Sequence, residues 1–472
     1  MRNRRTAVLG TFFAAAALAL ALPTPTASAA EAQGEIVIIG GAAVVSEQLE
    51  SHLASCTTLP VQRIAGSDRY ATAGSIAAHW PSADTVFVAT GLNFPDAISA
   101  GPAAASADAP ILLTKPTSLP AATRSEIQRL SPSRVVLLGE TAAISQATAD
   151  EIATLTTEVV RLGGIDRYDT AAIVSAWAFP SGSDVAYVAT GTGFRDALVA
   201  GPRAAADGAP ILLVEEDSVP DVTRDELVRL GVDRIVIMGS SGVVGTAVEA
   251  DLAVYAAGGV SRIAGGSRYT TAAAAAIGAP GSRVFVVTGD SFADGLAATP
   301  LAGGAPILFV EATELHLPTA NTIASRTGSG CEPWALPYPA VGSGKRIIYS
   351  NSEQQVWLID EDENLVDTYL VSGRRWIPYA GTYSVFSKSV NAWAPYGGIT
   401  MKHMVRFVRP NTWGNKWSYG FHSIPRYSNG TPLQTEAQLG TFRSGGCVRQ
   451  ADHKAVALYN WAPIGTKVIV LP

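Results

Sequence analysis

Arg63-Ile64-Ala65-Gly66-Ser67-Asp68-Arg69-Tyr70 returns as Arg161-Leu162-Gly163-Gly164-Ile165-Asp166-Arg167-Tyr168, and again as Arg262-Ile263-Ala264-Gly265-Gly266-Ser267-Arg268-Tyr269. The second arginines are spaced by 98 and 101 residues. Behind each copy comes a second shared segment: Thr90-Gly91 to Asp96-Ala97, Thr190-Gly191 to Asp196-Ala197, and Thr288-Gly289 to Asp294-Gly295. An Ala-Pro-Ile-Leu run follows at 109–112, 209–212 and 305–308. Self-similarity at a fixed period marks a repeat architecture. Residues 63–160, 161–261 and 262–327 therefore read as three copies of one unit.

Inside a copy, β-branched runs at 86–90, 111–114, 135–138 and 159–162 alternate with segments such as 120–130 and 145–154, whose apolar residues recur at helical spacing. Strand–helix–strand alternation with starts about 24 residues apart implies parallel sheets covered by helices. Twelve strands exceed what one open sheet usually holds, so the expectation is three compact α/β modules in an array. The third copy is incomplete, with no strand like 135–139 after residue 308. Its missing part stands at the other end of the chain, where Glu35-Ile36-Val37-Ile38-Ile39-Gly40 matches Arg134-Val135-Val136-Leu137-Leu138-Gly139 and Arg234-Ile235-Val236-Ile237-Met238-Gly239. An open sheet edge exposes unpaired backbone groups. Residues 31–62 are thus expected to complete the third module and close the three into a ring, the alternative being an independent cap. The chain has three cysteines, and closure would bring Cys56 and Cys331 together as a disulfide.

Hydrophobic residues form 47% of the 472-residue chain and charged residues 16%, which excludes wholesale disorder. Charge is segregated. Residues 31–340 carry 17 basic and 32 acidic side chains, and residues 341–472 carry 14 basic and 8 acidic ones. No basic run interleaved with aromatics appears, so nucleic acid is not an expected partner. Residues 1–30 hold Arg2, Arg4 and Arg5, then an apolar run over 7–22, then Ala27-Ser28-Ala29. That order spells a secretory signal peptide. The 16-residue run falls short of the roughly 20 residues that span a bilayer, so no transmembrane helix is expected.

The repeats resemble the cell-wall-binding repeats of the second type, known from surface proteins of Gram-positive bacteria. The resemblance rests on the Arg-Tyr signature, the Thr-Gly to Asp-Ala segment and the Ala-Pro-Ile-Leu strand. It implies a triangular array of three parallel-sheet α/β modules, Rossmann- or Toprim-like, that tethers a protein to anionic wall polymer. The residues themselves leave two readings of Arg69, Arg167 and Arg268. They could grip phosphate or carboxylate as bidentate forks, or pair with Asp96, Asp196 and Asp294 and pin a turn.

Residues 328–344 contain four glycines and three prolines and read as a linker. Beyond it, runs at 346–350, 355–360, 365–371, 381–387, 402–408 and 467–471 read as strands of a mostly antiparallel β domain over 345–472. Within it lie Gly420-Phe421-His422-Ser423-Ile424-Pro425 and Arg443-Ser444-Gly445-Gly446-Cys447-Val448-Arg449. A cysteine nucleophile needs a base to take its proton, and histidine serves at neutral pH. Two glycines before Cys447 allow a tight turn that could aim the N–H groups of Gly446 and Cys447 at an oxyanion. The remaining histidines, His52, His79, His316, His403 and His453, show no zinc-ligand spacing, and no cofactor or metal is expected.

This segment resembles the signature of the L,D-transpeptidase catalytic domain, a histidine followed by Ser/Thr-His-Gly-Cys, a hydrophobic residue, and Asn or Arg. Ser444, Gly446, Cys447, Val448 and Arg449 match it, as do Arg346-Ile347-Ile348-Tyr349, Gln355-Val356-Trp357, Gly381-Thr382-Tyr383-Ser384-Val385 and Ile464-Gly465-Thr466-Lys467-Val468. Gly445 replaces the family's usual histidine. The interval of 25 residues from His422 to Cys447 is longer than usual and implies a rim loop over 426–439. The resemblance implies Cys447 as nucleophile, His422 as base, the Ser423 carbonyl as orienter, and Ser444, Gly445 and Arg449 as substrate contacts. Arg449 could bind a substrate carboxylate or hold the following helix. The implied reaction is a 3→3 cross-link between peptidoglycan stem peptides through a Cys447 thioester. The alternatives are an L,D-carboxypeptidase or endopeptidase on the same stems, and a non-catalytic wall-binding adhesion protein. A secreted, wall-held location follows from the same resemblances.

Overall fold

The computed structural model describes residues 34–394, 397–414 and 416–472. The leader read over 1–30 lies outside the described residues. The chain divides into two compact units between Pro333 and Trp334.

The first unit holds three four-stranded parallel sheets of identical order. In one, Ile111–Thr114, Thr85–Thr90, Arg134–Leu138 and Glu158–Leu162 lie side by side. In the next, Ile211–Val214, Val185–Thr190, Arg234–Met238 and Gly259–Ile263 repeat the arrangement. In the third, Ile307–Val310 and Val284–Thr288 supply two strands, and Ile36–Ile39 and Val61–Ile64 supply the others. Ile36 pairs with Val284 and Val37 with Phe285, so the N-terminal strand sits inside this sheet rather than capping it. Ile36 through Ile39 are fully buried, the pattern of a strand covered on both faces. Cys56 and Cys331 form a disulfide with Cα atoms 4.8 Å apart.

The repeated octapeptide bridges modules. Its first half ends the last strand of one sheet, and its second half starts a helix that packs on the next. Asp68 and Asp166 cap helices Arg69–Ala77 and Arg167–Ala178 by accepting two backbone N–H bonds each, and Ser267 caps Arg268–Ala275. The first arginines, Arg63, Arg161 and Arg262, donate to the carbonyls of Gly40, Gly139 and Gly239 at 2.6, 2.8 and 2.8 Å. The second arginines, Arg69, Arg167 and Arg268, donate to the carbonyls of Gly91, Gly191 and Gly289 at 2.5, 2.5 and 2.9 Å. Of the two readings of the second arginines, pairing with Asp96, Asp196 and Asp294 of the same copy is not what forms. Asp96, Asp196 and Asp294 instead lie against Gly139, Gly239 and Gly40, where a Cβ would meet their carboxylates. Asp294 feels the charge of Arg69, whose helix follows the last strand of that module. The arginines do pin turns, through backbone carbonyls of the module they pack in, and Arg268 adds an ion pair to Asp290.

Three helices meet at the centre of this unit: Ala100–Ser106, Arg195–Ala206 and Ala293–Ala302. Their approach requires small residues, because a Cβ on Gly101 or Gly201 would run into Thr299. Above them Phe94, Phe194 and Phe292 contact one another pairwise, with ring centroids 5.7, 6.1 and 6.3 Å apart. These three phenylalanines, each two residues before a repeated aspartate, form the hub of the array.

The second unit has two sheets around one core. Leu365–Leu370, Gln355–Ile359, Arg346–Ser350, Lys467–Leu471 and Gly381–Ser384 form a five-stranded sheet. Ser387–Trp393, Thr400–Val408, Tyr419–Ser423 and Val448–Gln450 form a four-stranded one. The single strand expected over 381–387 breaks at Val385, which is buried in the core, and its continuation joins the other sheet. Strands 419–423 and 448–450 escape a pattern reading because they are short and rich in polar residues. The stretch 328–344 is not a free linker throughout. Tyr338 is buried against Ile348, Trp357 and Ile359, and its hydroxyl donates to the Glu363 carbonyl at 2.6 Å. Among the described residues no helix is long and apolar enough to cross a membrane.

Candidate active site

The four-stranded sheet of the second unit positions the site. Phe421 pairs with Val448 and His422 with Arg449 in parallel register. One step back along that ladder, Cys447 stands beside Gly420. Side chains alternate across a strand, so residues 420 and 422 share a face, and Cys447 shares it with them. The opposite face carries Val405, Phe421 and Val448, all fully buried in the core. Cys447 and His422 accordingly line one cavity of about 560 Å³, together with Ser444, Gly445, Gly446 and Arg449.

The imidazole is fixed. His422 is 2% exposed, and its Nδ1 lies 2.6 Å from the Ser423 carbonyl. A carbonyl only accepts, so Nδ1 carries the proton and Nε2 is the free acceptor. Ser423 is held in turn, its hydroxyl accepting from the Lys402 N–H at 2.9 Å. Burial lowers the His422 pKa to about 4, opposed by the Ser423 bond and aided by the charges of Arg449 and Arg406. Burial also pushes the Cys447 thiol up, opposed by a backbone hydrogen bond from Gly420 and by Arg406 and Arg449. Apolar Met401 and Met404 lie in the cluster against which Cys447 packs. The resting pair is therefore neutral thiol and neutral imidazole.

Gly446 must be glycine here, because a Cβ would enter the Tyr419 ring. Its N–H donates to Ser444 Oγ at 3.1 Å, so of the two N–H groups expected to face an oxyanion, that of Gly446 is engaged in the resting turn. Arg449 donates to Gln434 Oε1 at 3.0 Å, which ties it to the rim loop expected over 426–439. Leu433 and Pro425 bring that loop's base to the cavity wall. His403 lines a separate cavity with Lys402 and His453. Arg406, which sequence reasoning missed, lines the catalytic-type cavity beside Cys447. Its signal was available only through strand register, since it lies 41 residues from Cys447 in a segment with no motif. The repeat residues singled out, Arg69, Arg167, Arg268, Asp96, Asp196 and Asp294, belong to the other unit. Of these, Arg268 and Asp196 line a cleft of about 600 Å³ with Arg195 and Ser240. Glu311, Glu314 and His316 also converge in that unit, paired to one another through the histidine at 3.3 and 3.0 Å.

Comparison with known proteins agrees with both halves of this description. The model of cell wall binding domain 2 matches residues 63–149, 161–249 and 262–353. The model of the L,D-transpeptidase catalytic domain matches residues 344–470. N-acetylmuramoyl-L-alanine amidase LytC of Bacillus subtilis is 32% identical over 245 residues, covering 51% of this chain and 48% of its own. The amidase enhancer of the same organism is 32% identical over 255 residues, covering 53% of this chain and 34% of its own. The chain thus spans about half or less of the length of the curated relatives it matches. Among solved structures, Cwp6 from Clostridium difficile aligns at a TM-score of 0.54 and 26% identity, over 62% of this chain and 51% of that one. With three matched repeats covering more than half of its length and the second model covering the unit that holds Cys447, the chain belongs to the cell wall binding domain 2 family and ends in an L,D-transpeptidase catalytic domain.

Proposed function

We propose that this protein is an exported, wall-held cysteine transpeptidase that joins peptidoglycan stem peptides by 3→3 cross-links. The observation that carries the reading is the placement of His422 and Cys447 on one sheet face, lining one cavity, with the imidazole oriented by the Ser423 carbonyl.

Cys447 Sγ attacks the carbonyl carbon of the third stem residue while His422 Nε2 takes the thiol proton. Because both groups are neutral at rest, proton transfer accompanies carbon–sulfur bond formation rather than preceding it. The oxyanion meets the Cys447 N–H, and meets that of Gly446 once Ser444 Oγ releases it. Collapse breaks the peptide bond, and the departing amine of the terminal D-residue takes the proton from His422. The acyl group remains on Cys447 as a thioester. The amine of an acceptor stem then attacks, passes its proton through His422 to the sulfur, and frees the thiol. Water in place of the amine would give L,D-carboxypeptidase chemistry. Ser444, Gly445 and Arg449 contribute to the substrate-side wall of the cavity. The repeats hold the chain to anionic wall polymer, and the leader over 1–30 directs export.

Incubation with disaccharide-tetrapeptide should give a cross-linked dimer with the wild-type chain and none with Cys447→Ala. A carbapenem should add its mass to Cys447 in the former alone. Wall binding without either product would favour the adhesion protein, and trimmed monomer alone would favour the hydrolase.

A further inference from the structure

The row of residues that contains Cys447 continues across the sheet. Arg406 pairs with Gly420, and Ser387 pairs with Arg406. Cys447 stands beside Gly420 on the other side, so Arg406 and Cys447 lie two strands apart on the same face, about 10 Å between backbones at roughly 4.8 Å per strand. Gly420 between them carries no side chain, and a Cβ there would strike the backbone at Val405 and Arg406. The result is a trough with a thiol at one wall and a guanidinium at the other.

The cavity that contains this trough is lined by Lys388, Arg406 and Arg449, and by no aspartate or glutamate. Arg449 is tied to Gln434. Arg406 donates from Nη1 to Ser389 Oγ at 3.1 Å, and among the described residues no carboxylate pairs with it. A guanidinium presents five donors in a planar fork that matches a carboxylate, and a hydroxyl beside it adds another donor. The trough's span fits a substrate whose reacting carbonyl sits at the thiol and whose carboxylate lies about one residue away.

We propose that Arg406, with Ser389, receives a carboxylate of the donor stem peptide and so sets the acceptable chemistry of that stem. This rests on the transpeptidase reading and names a determinant of its specificity. Two carboxylates of a stem tetrapeptide lie at the right remove from the scissile carbonyl: the C-terminal one of the fourth residue, and a side-chain one where the third residue is a diamino diacid.

Binding can be read without chemistry in the full-length Cys447→Ala chain. Three synthetic tetrapeptides serve as probes: the full acid, the C-terminal carboxamide, and the peptide amidated on the third residue's side chain. The acid should bind on the order of tenfold more tightly than one of the two amides, which identifies the carboxylate received. Adding Arg406→Gln should erase that difference, and Arg406→Lys should restore part of it, with melting temperature confirming that each variant folds. Equal affinity for all three peptides, or a difference that survives Arg406→Gln, would overturn the assignment. Failure of the transpeptidase reading shows elsewhere, as absence of dimer from the wild-type chain.

Discussion

In the N-terminal unit three aspartates, Asp96, Asp196 and Asp294, recur in register, each against a glycine at a strand end. In the C-terminal unit the site rests on His422 and Cys447, which no repeat duplicates. Asp294 is 7% exposed, and burial raises its pKa to about 6, with Arg69 only partly offsetting the effect. Asp196 is shifted the same way by burial. His422 moves downward instead, to about 4. Burial thus disfavours the charged form in both units, raising a carboxylate in the first and lowering an imidazole in the second. The contrast separates two uses of burial. In the ring it comes with packing a carboxylate against a strand-end glycine. In the cavity it leaves Nε2 of one imidazole as an available base.

The largest expected effect tests whether the two units are stabilised independently. The Cys56–Cys331 bridge closes a loop of 275 residues within the N-terminal unit. In the chain-entropy model such a loop contributes roughly 5 kcal/mol at most. The Cys56→Ser/Cys331→Ser double variant should lose up to that amount in the repeats. Amide exchange over 346–471 and turnover by the second unit should stay unchanged. Loss of protection in both units together would show that they fold as one.

The second effect sharpens the contrast through rate. His422→Gln should lower acylation of Cys447 by roughly 10²- to 10⁴-fold, the usual contribution of a positioned base. In the wild type the base works only when neutral. The acid limb of kcat/KM should therefore lie near the folded value of about 4 rather than near the 6.5 of a free imidazole. Burst-phase measurement of carbapenem acylation between pH 3 and 8 would locate it. A limb near 6.5 would mean that the cavity hydrates the imidazole in solution.

What the sequence revealed differs between the units for a physical reason. Three copies give each strand two counterparts, so the runs at 111–114, 211–214 and 307–310 and the displaced strand at 36–39 are legible in the sequence alone. Repetition also misled. It placed the arginine signature and the aspartate within one copy, whereas Arg69 meets the field of Asp294 from the neighbouring module. The phenylalanine hub is equally periodic, but one aromatic per copy in a loop does not show in sequence that the three rings meet. In the second unit, motif residues were legible because nucleophile chemistry demands them. Arg406 was not, since its proximity to Cys447 depends on two strand registers through Gly420.

The smallest effect turns the contrast into a stability measurement of opposite sign in the two units. Asp294 has a folded pKa of about 6 against the usual 3.8 of an aspartate, so it favours folding most below pH 4 and progressively less as pH rises toward 6. About two pKa units correspond to about 3 kcal/mol. Asp294→Asn should therefore remove a pH dependence from the repeats, gaining up to that amount relative to wild type at pH 7 and nothing extra at pH 4. His422 works the other way. Its folded value near 4 lies below 6.5, so the catalytic unit loses stability as pH falls through that interval, again by about 3 kcal/mol. Amide exchange followed by mass spectrometry from pH 4 to 7, corrected for intrinsic rates, resolves the units separately within one chain. Protection should rise toward acid in the repeats and toward neutrality in the strands 419–423 and 448–450. A common direction in both would mean that groups other than Asp294 and His422 govern the pH response.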